Sequence, residues 1–136
     1  MCWEEKLDIL HDSLLYGIDT QNGHVKLYFK ENYTSTPKKY EVELSEVKDL
    51  VVDNFRQGNI VLDIKILSVD QVDMADLIHL SYANEKNINP IKESLRNEGY
   101  KIFLLCSSYG CHIACAFKTI NFYEFDPVTL CKQTIL

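Results

Sequence analysis

Apolar and polar residues alternate with a period of two over most of this chain, the pattern of strands with one face in a core and the other in water. Leu14, Tyr16 and Ile18 alternate before Gln21-Asn22-Gly23, and Val25, Leu27 and Phe29 alternate after it. Asn-Gly supplies the positive backbone angles of a tight turn, so residues 13 to 31 are expected to form a hairpin. His24, Lys26, Tyr28 and Lys30 fall on the other face of its second strand, a wet surface where a partner would dock. The polar, proline-containing stretch 31–38 reads as a loop. Tyr40, Val42 and Leu44 then alternate with Lys39, Glu41 and Glu43, and Val47, Leu50 and Val52 continue the apolar supply past a bend near Ser45-Glu46. In the connection Asp53 to Asn59, the residues Asn54, Gly58 and Asn59 accept left-handed backbone angles, and Asn54 and Gln57 can bond backbone groups. That turn is expected to organise the fold and to feed a strand over 59–67 with Ile60, Leu62, Ile64 and Ile66 in its stripe.

After Ser68 the apolar spacing approaches 3.6, through Val72, Leu77, Ile78 and Leu80, predicting a helix over 70–84. Asp70, Asp73 and Asp76 lie early in it, where a helix N-terminus favours negative charge. Asn89-Pro90 puts proline at a first helical position, and Ile91 and Leu95 give a stripe closed by Gly99, predicting a second helix. The apolar run Ile102 to Cys106 reads as a central buried strand, bounded by Ser107-Ser108-Tyr109-Gly110. Residues 113 to 125 supply another long β-rich run, and Asp126-Pro127 is expected to end regular pairing. The sum is one α+β domain over residues 1–136: a mainly antiparallel sheet of about six strands, with two helices inserted between strands 4 and 5 and packed on one face.

Composition supports a folded, soluble domain, with 46% hydrophobic and 25% charged residues in 136, enough chain for one sizeable core. The net charge of −6 disfavours a grip on nucleic-acid backbone or an anionic membrane and leaves a basic protein as the attractive partner. No basic leader and no run of about 18 apolar residues is present, which points to the cytoplasm. The cysteines at 2, 106, 111, 115 and 131 form an odd set, read as reduced.

Candidate chemistry is sparse. Cys106, Cys111, His112 and Cys115 are zinc-type ligands, but on a strand Cys111 and Cys115 would stand ~13 Å apart, with His112 on the opposite side, so no metal is expected. A Cys-His nucleophilic pair drawing its base from His11, His24, His79 or His112 lacks supporting local sequence. His11-Asp12-Ser13 holds the residue types of a hydrolase triad, but neighbours on an extended chain project to opposite faces. Glu41 and Glu43 share a strand face with Lys39, an ordinary solvated surface rather than a glycosidase pair. The glycines are scattered and form no phosphate-binding loop. Tyr28, Tyr33, Phe55 and Tyr109 lack the basic track of a base-stacking platform and suit core packing or protein contacts. No cofactor is expected.

His11-Asp12-Ser13 before a first strand, Tyr40-Glu41-Val42-Glu43-Leu44 running to Leu50, and Asn54-Phe55-Arg56-Gln57-Gly58-Asn59-Ile60 together resemble a group of small α+β bacterial proteins. Some of these resemble immunity proteins that protect a cell from its own polymorphic or contact-dependent inhibition toxin. The resemblance spans the first half of the chain and implies a non-enzymatic binder that neutralises a cognate toxin, a nuclease being a suitable target because such enzymes need basic surfaces. Acidity fits that role through steered association. The candidate partner-binding residues are Glu41, Glu43 and Asp63 on the wet sheet face and Asp70, Asp73 and Asp76 at the helix entry. The alternatives are a small cytosolic enzyme using a Cys-His or acid-base site on a concave sheet face, and a structural or oligomerising module.

Overall fold

The computed structural model describes residues 3–81, 86–108 and 110–135. Helix α1 (Trp3–Leu7) and a 3-10 turn (Asp8–Leu10) lead into β1 (Leu14–Gln21), β2 (His24–Lys30), β3 (Lys39–Ser45), β4 (Asp49–Asp53) and β5 (Asn59–Ser68). A second 3-10 turn (Val69–Gln71), α2 (Met74–Ser81) and α3 (Ile88–Asn97) follow, and then β6 (Lys101–Ser107), β7 (His112–Phe117), β8 (Thr119–Phe125) and β9 (Lys132–Thr134). The strands form one antiparallel sheet in the order β4-β7-β6-β5-β1-β2-β3-β8-β9.

This corrects the expected fold: there are nine strands rather than six, and the helices α2 and α3 lie between β5 and β6 rather than between strands 4 and 5. The run 39–52 is two strands because Glu46 takes a left-handed φ of 52°, which turns the chain so that β4 abandons β3 and pairs with β7. The run 113–125 is likewise two, since β7 pairs with β6 and β4 whereas β8 crosses to β3, with Ser45 opposite Thr119 and Lys39 opposite Phe125. Asp126-Pro127 does not end pairing: the Asp126 carboxylate accepts the Val128 and Thr129 N–H groups, and that turn returns β9 to β8. In the 70–84 stretch the helix begins only at Met74, and positions 82–84 lie outside the described residues. Pro90 is the third residue of α3, not the first.

Two bulges re-aim side chains where the halves of the sheet meet. A register shift between Leu15 and Gly17 turns Leu15 and Ile18 to the core and leaves Tyr16 42% exposed, so Leu14, Tyr16 and Ile18 do not share a face. Another between Val61 and Asp63 buries Val61 and Ile64 and puts Leu62 outside, breaking the expected stripe through Ile60 and Leu62. An extra residue in one strand of a pair has this effect. The halves β4-β7-β6-β5 and β1-β2-β3-β8-β9 join through two residue pairs, Leu14 with Ile60 and Leu15 with Asn59. Buried Asn59 ties that seam to the preceding turn: its carbonyl oxygen accepts Arg56 N–H at 2.8 Å and its amide donates to Leu15 O and Arg56 O.

The inward faces of the two halves share one core. Leu15, Leu27, Phe29, Val42, Leu44 and Phe122 meet Val61, Phe103, Leu105, Ile113, Cys115 and Phe117 there, with Leu7 and Leu10. The outward face of β4-β7-β6-β5 is covered by α2 and α3, whose Leu77, Ile88 and Leu95 pack with Ile102, Leu104, Ala114 and Ala116. Small alanines there let the helices approach. Asp70 clamps the cover from outside through the Arg96 guanidinium and Lys92, 4.0 Å away.

Candidate functional site

At the open end of the helix-covered half, strand register brings titratable groups into one row. The chain turns between β6 and β7 and sets Cys106 opposite His112. Asp63 of β5 lies opposite Cys106, and Asp53 of β4 opposite His112. Alternation puts this row on the same face as Leu104 and Ala114, beyond the reach of the apolar helix contacts. Asp76 comes down from α2.

The side chains form a line. Cys106 Sγ lies 3.5 Å from His112 Nδ1, and His112 Nε2 lies 3.6 Å from Asp76 Oδ1, the two side chains being 27% and 34% exposed. If Nδ1 accepts the thiol proton, the other ring nitrogen carries hydrogen toward the Asp76 carboxylate, which favours that tautomer. Cys106 is half-buried. Burial pushes its thiol up, and the Asp63 and Asp76 carboxylates push the same way against Lys65; Lys65 Nζ is itself 3.6 Å from Asp63. The group is therefore a neutral thiol at physiological pH, beside a base able to take its proton.

The other described cysteines are different. Cys111 and Cys115 sit in the shared core, where burial raises Cys115 to about 12, and Cys131 is exposed; all four are free thiols, while Cys2 lies outside the described residues. Among the described residues no group of three or more histidine, cysteine or carboxylate side chains is arranged to hold a metal ion. His11 Nδ1 does approach Asp12 Oδ2, at 3.2 Å, but the Ser13 hydroxyl turns inward to donate to Leu10 O. The side chain of His79 and all of Tyr109 lie outside what is described. Tyr33 is 90% exposed and Phe55 43%, so neither is a core aromatic, and Tyr28 is half-buried.

Of the six acidic candidates, the fold brings Asp63 and Asp76 to the Cys106 site, keeps Glu41 and Glu43 together beside Lys132 on the other half, and leaves Asp70 and Asp73 apart from both. Glu41 is 4% exposed and bound by Lys132 at 2.9 Å, whose ammonium also lies 3.9 Å from the centre of the Tyr123 ring. Glu43 lies 3.9 Å from Lys26. Asp70 belongs to the clamp on α3, and its Arg96 bond holds its carboxyl below the usual carboxylate range. Asp73 is exposed and its carbonyl accepts the Leu77 N–H. Sequence reasoning missed Asp53 and the pairing of Cys106 with His112. Counting register across the turn at 107–111 would have placed those two opposite one another.

The outward face of β1-β2-β3-β8-β9 is a second surface. Depressions of about 380 Å3, lined by Asp19, Gln21, His24, Lys26 and Glu43, and about 310 Å3, between Pro37, Lys39, Phe125 and Leu130, are open; at the first, His24 Nδ1 lies 3.2 Å from the Ser45 hydroxyl. Among the described residues the inward face is filled with apolar side chains. No described helix is long and apolar enough to cross a membrane. No family model, curated protein or solved structure matches the chain.

Proposed function

We propose that this chain is a non-enzymatic immunity-type protein that acts in the cytoplasm by binding and neutralising a protein toxin, with the acidic end of the helix-covered half-sheet as its contact surface. The observation that carries this reading is a strand row with Asp53 and Asp63 at its two ends and Asp76 of α2 against its His112, in a chain of net charge −6. Apolar side chains stand beside these acids in the sequence: Phe55, Leu62 and Met74 are 43%, 55% and 52% exposed. A charged surface suits a protein contact by steering encounter, and exposed apolar side chains near it in the sequence are candidates for buried area. A toxin that holds nucleic acid offers the complementary basic surface. The resemblance in the first half of the chain points the same way.

The test pairs the purified protein with the product of a toxin gene lying directly beside its own. Inhibition of that toxin is the expected result, and full toxin activity in the presence of excess protein would refute the reading. Replacing Asp63 and Asp76 together by lysine should slow association by about tenfold or more at low salt and flatten its salt dependence. Unchanged rates would remove this face from consideration.

A further inference from the structure

From the line Cys106, His112, Asp76 we infer that Cys106 is a thiol-exchange site, which forms mixed disulfides with small neutral or cationic disulfides, with His112 as the base that takes its proton. The inference stands apart from the toxin-binding reading, because it needs no protein partner.

Three observations carry it. The thiol is half-buried, not sealed in the core like Cys111 and Cys115. Its hydrogen-bonding partner is an imidazole nitrogen at 3.5 Å, and the far side of that ring faces a carboxylate, the arrangement by which a weakly acidic nucleophile is activated. The third observation chooses between electrophiles. Attack on a carbonyl develops an oxyanion that needs preorganised donors. Yet among the described residues the backbone N–H groups of the adjoining turn are engaged within the fold: Ser107 N–H donates to Cys111 O, Ser108 to Ile60 O, Gly110 to Ser107 O and Cys111 to Ser107 Oγ. Attack on a disulfide sulfur develops no oxyanion and needs none of them.

The step balances simply. Cys106 Sγ forms a bond to one sulfur of the incoming disulfide as the bond between its two sulfurs breaks. The thiol proton passes to His112 Nδ1 and then to the departing thiolate, so one thiol and one disulfide become another thiol and a mixed disulfide. Because burial and the nearby carboxylates keep Cys106 protonated, attack depends on proton removal by the neighbouring base rather than on a standing thiolate. The charged and titratable groups that face it are Asp63 and Lys65 from β5, His112 from β7, Asp53 from β4 and Asp76 from α2. The excess of carboxylates selects against anionic disulfides.

Exposed Cys131, beside Lys132 on the other half of the sheet, is an internal reference. The reduced full-length protein is mixed with cystamine or with oxidised glutathione near pH 7, and adducts at both cysteines are followed by peptide mass spectrometry. His112→Gln should slow cystamine addition at Cys106 by about tenfold or more while leaving Cys131 unchanged. At low salt the preference for cystamine over oxidised glutathione should be about tenfold greater at Cys106 than at Cys131, and Asp63→Asn, a change at an exposed side chain, should reduce it. An unchanged Cys106 rate in His112→Gln, or the same charge preference at both cysteines, would overturn the inference.

Discussion

Glu41 and Asp63 occupy equivalent places in the two halves of the sheet. Each is a carboxylate at an outward-facing position of an alternating strand, and each is followed two residues later by another charge. In the half without helices Glu41 is nevertheless 4% exposed, because Lys132 of the last strand reaches across to it and Tyr28 and Tyr123 flank it in register. In the helix-covered half the side chain of Asp63 is 51% exposed, because α2 and α3 cover the middle of the face and leave this end open. An outward position is thus wet or dry according to what arrives from a distant part of the chain. Long side chains from neighbouring strands can hide a charge as well as a helix would.

The largest expected effect tests whether the halves are one cooperative unit. Phe103→Ala removes a fully buried ring from the shared core and should cost about 3–5 kcal/mol. Hydrogen exchange in β2 and β7 should accelerate together; full protection of β2 alone would show that the halves fold separately. Next is Glu41→Ala, which strips Lys132 of its partner. Lys132 is 39% exposed and can turn to water, so the loss should be about 1–2 kcal/mol, seen as a lower Tm with exchange rising first in β9. Equal acceleration across both halves would mean that Glu41 supports the whole core rather than its own strand. The smallest effect concerns the clamp on the helices. The Asp70 carboxyl titrates below its ordinary 3.8 when folded, so its contribution is present above that value and lost as pH falls through the lowered one. Asp70→Asn should slightly loosen α3 at neutral pH and remove that part of the acid dependence of Tm. An unaltered acid profile would mean that the Arg96 pair contributes nothing to the cover.

Local chemistry was legible in the sequence where it decided structure by itself. Asn22-Gly23 closes the β1–β2 hairpin with both residues at positive φ, and Gly99, at φ 83°, ends α3. Where partners are distant, the periodic signal misled. A run apolar on alternate positions says that a strand exists but not which strand lies beside it, so 39–52 and 113–125 each concealed a change of partner. The bulges were hidden for a related reason, since one extra residue makes sense only against the opposing strand. Of the turn at 53–59, the sequence showed the left-handed angles of Asn54 and Gly58 but not the reach of Asn59 to Leu15. The candidate site was half legible: Asp63 and Asp76 stood out as acids, while the register that gathers them around Cys106 and His112 depends on three strand pairings and a helix.

The pairing of β3 with β8 has a consequence for how the chain is made. During synthesis the β1-β2-β3 meander emerges early and has its own local turns, yet the edge it offers, with Val42 and Leu44 turned to the nascent core, is closed only when Thr119 to Phe125 have been translated. Until then the protein carries an unfinished sheet with an apolar face, a state open to mispairing with other chains. Lys39, Glu41 and Glu43 alternate along that waiting edge. Only Glu41 is later buried, beneath Lys132 of β9, while Lys39 stays exposed and Glu43 half-buried, and charges along an open edge oppose such mispairing.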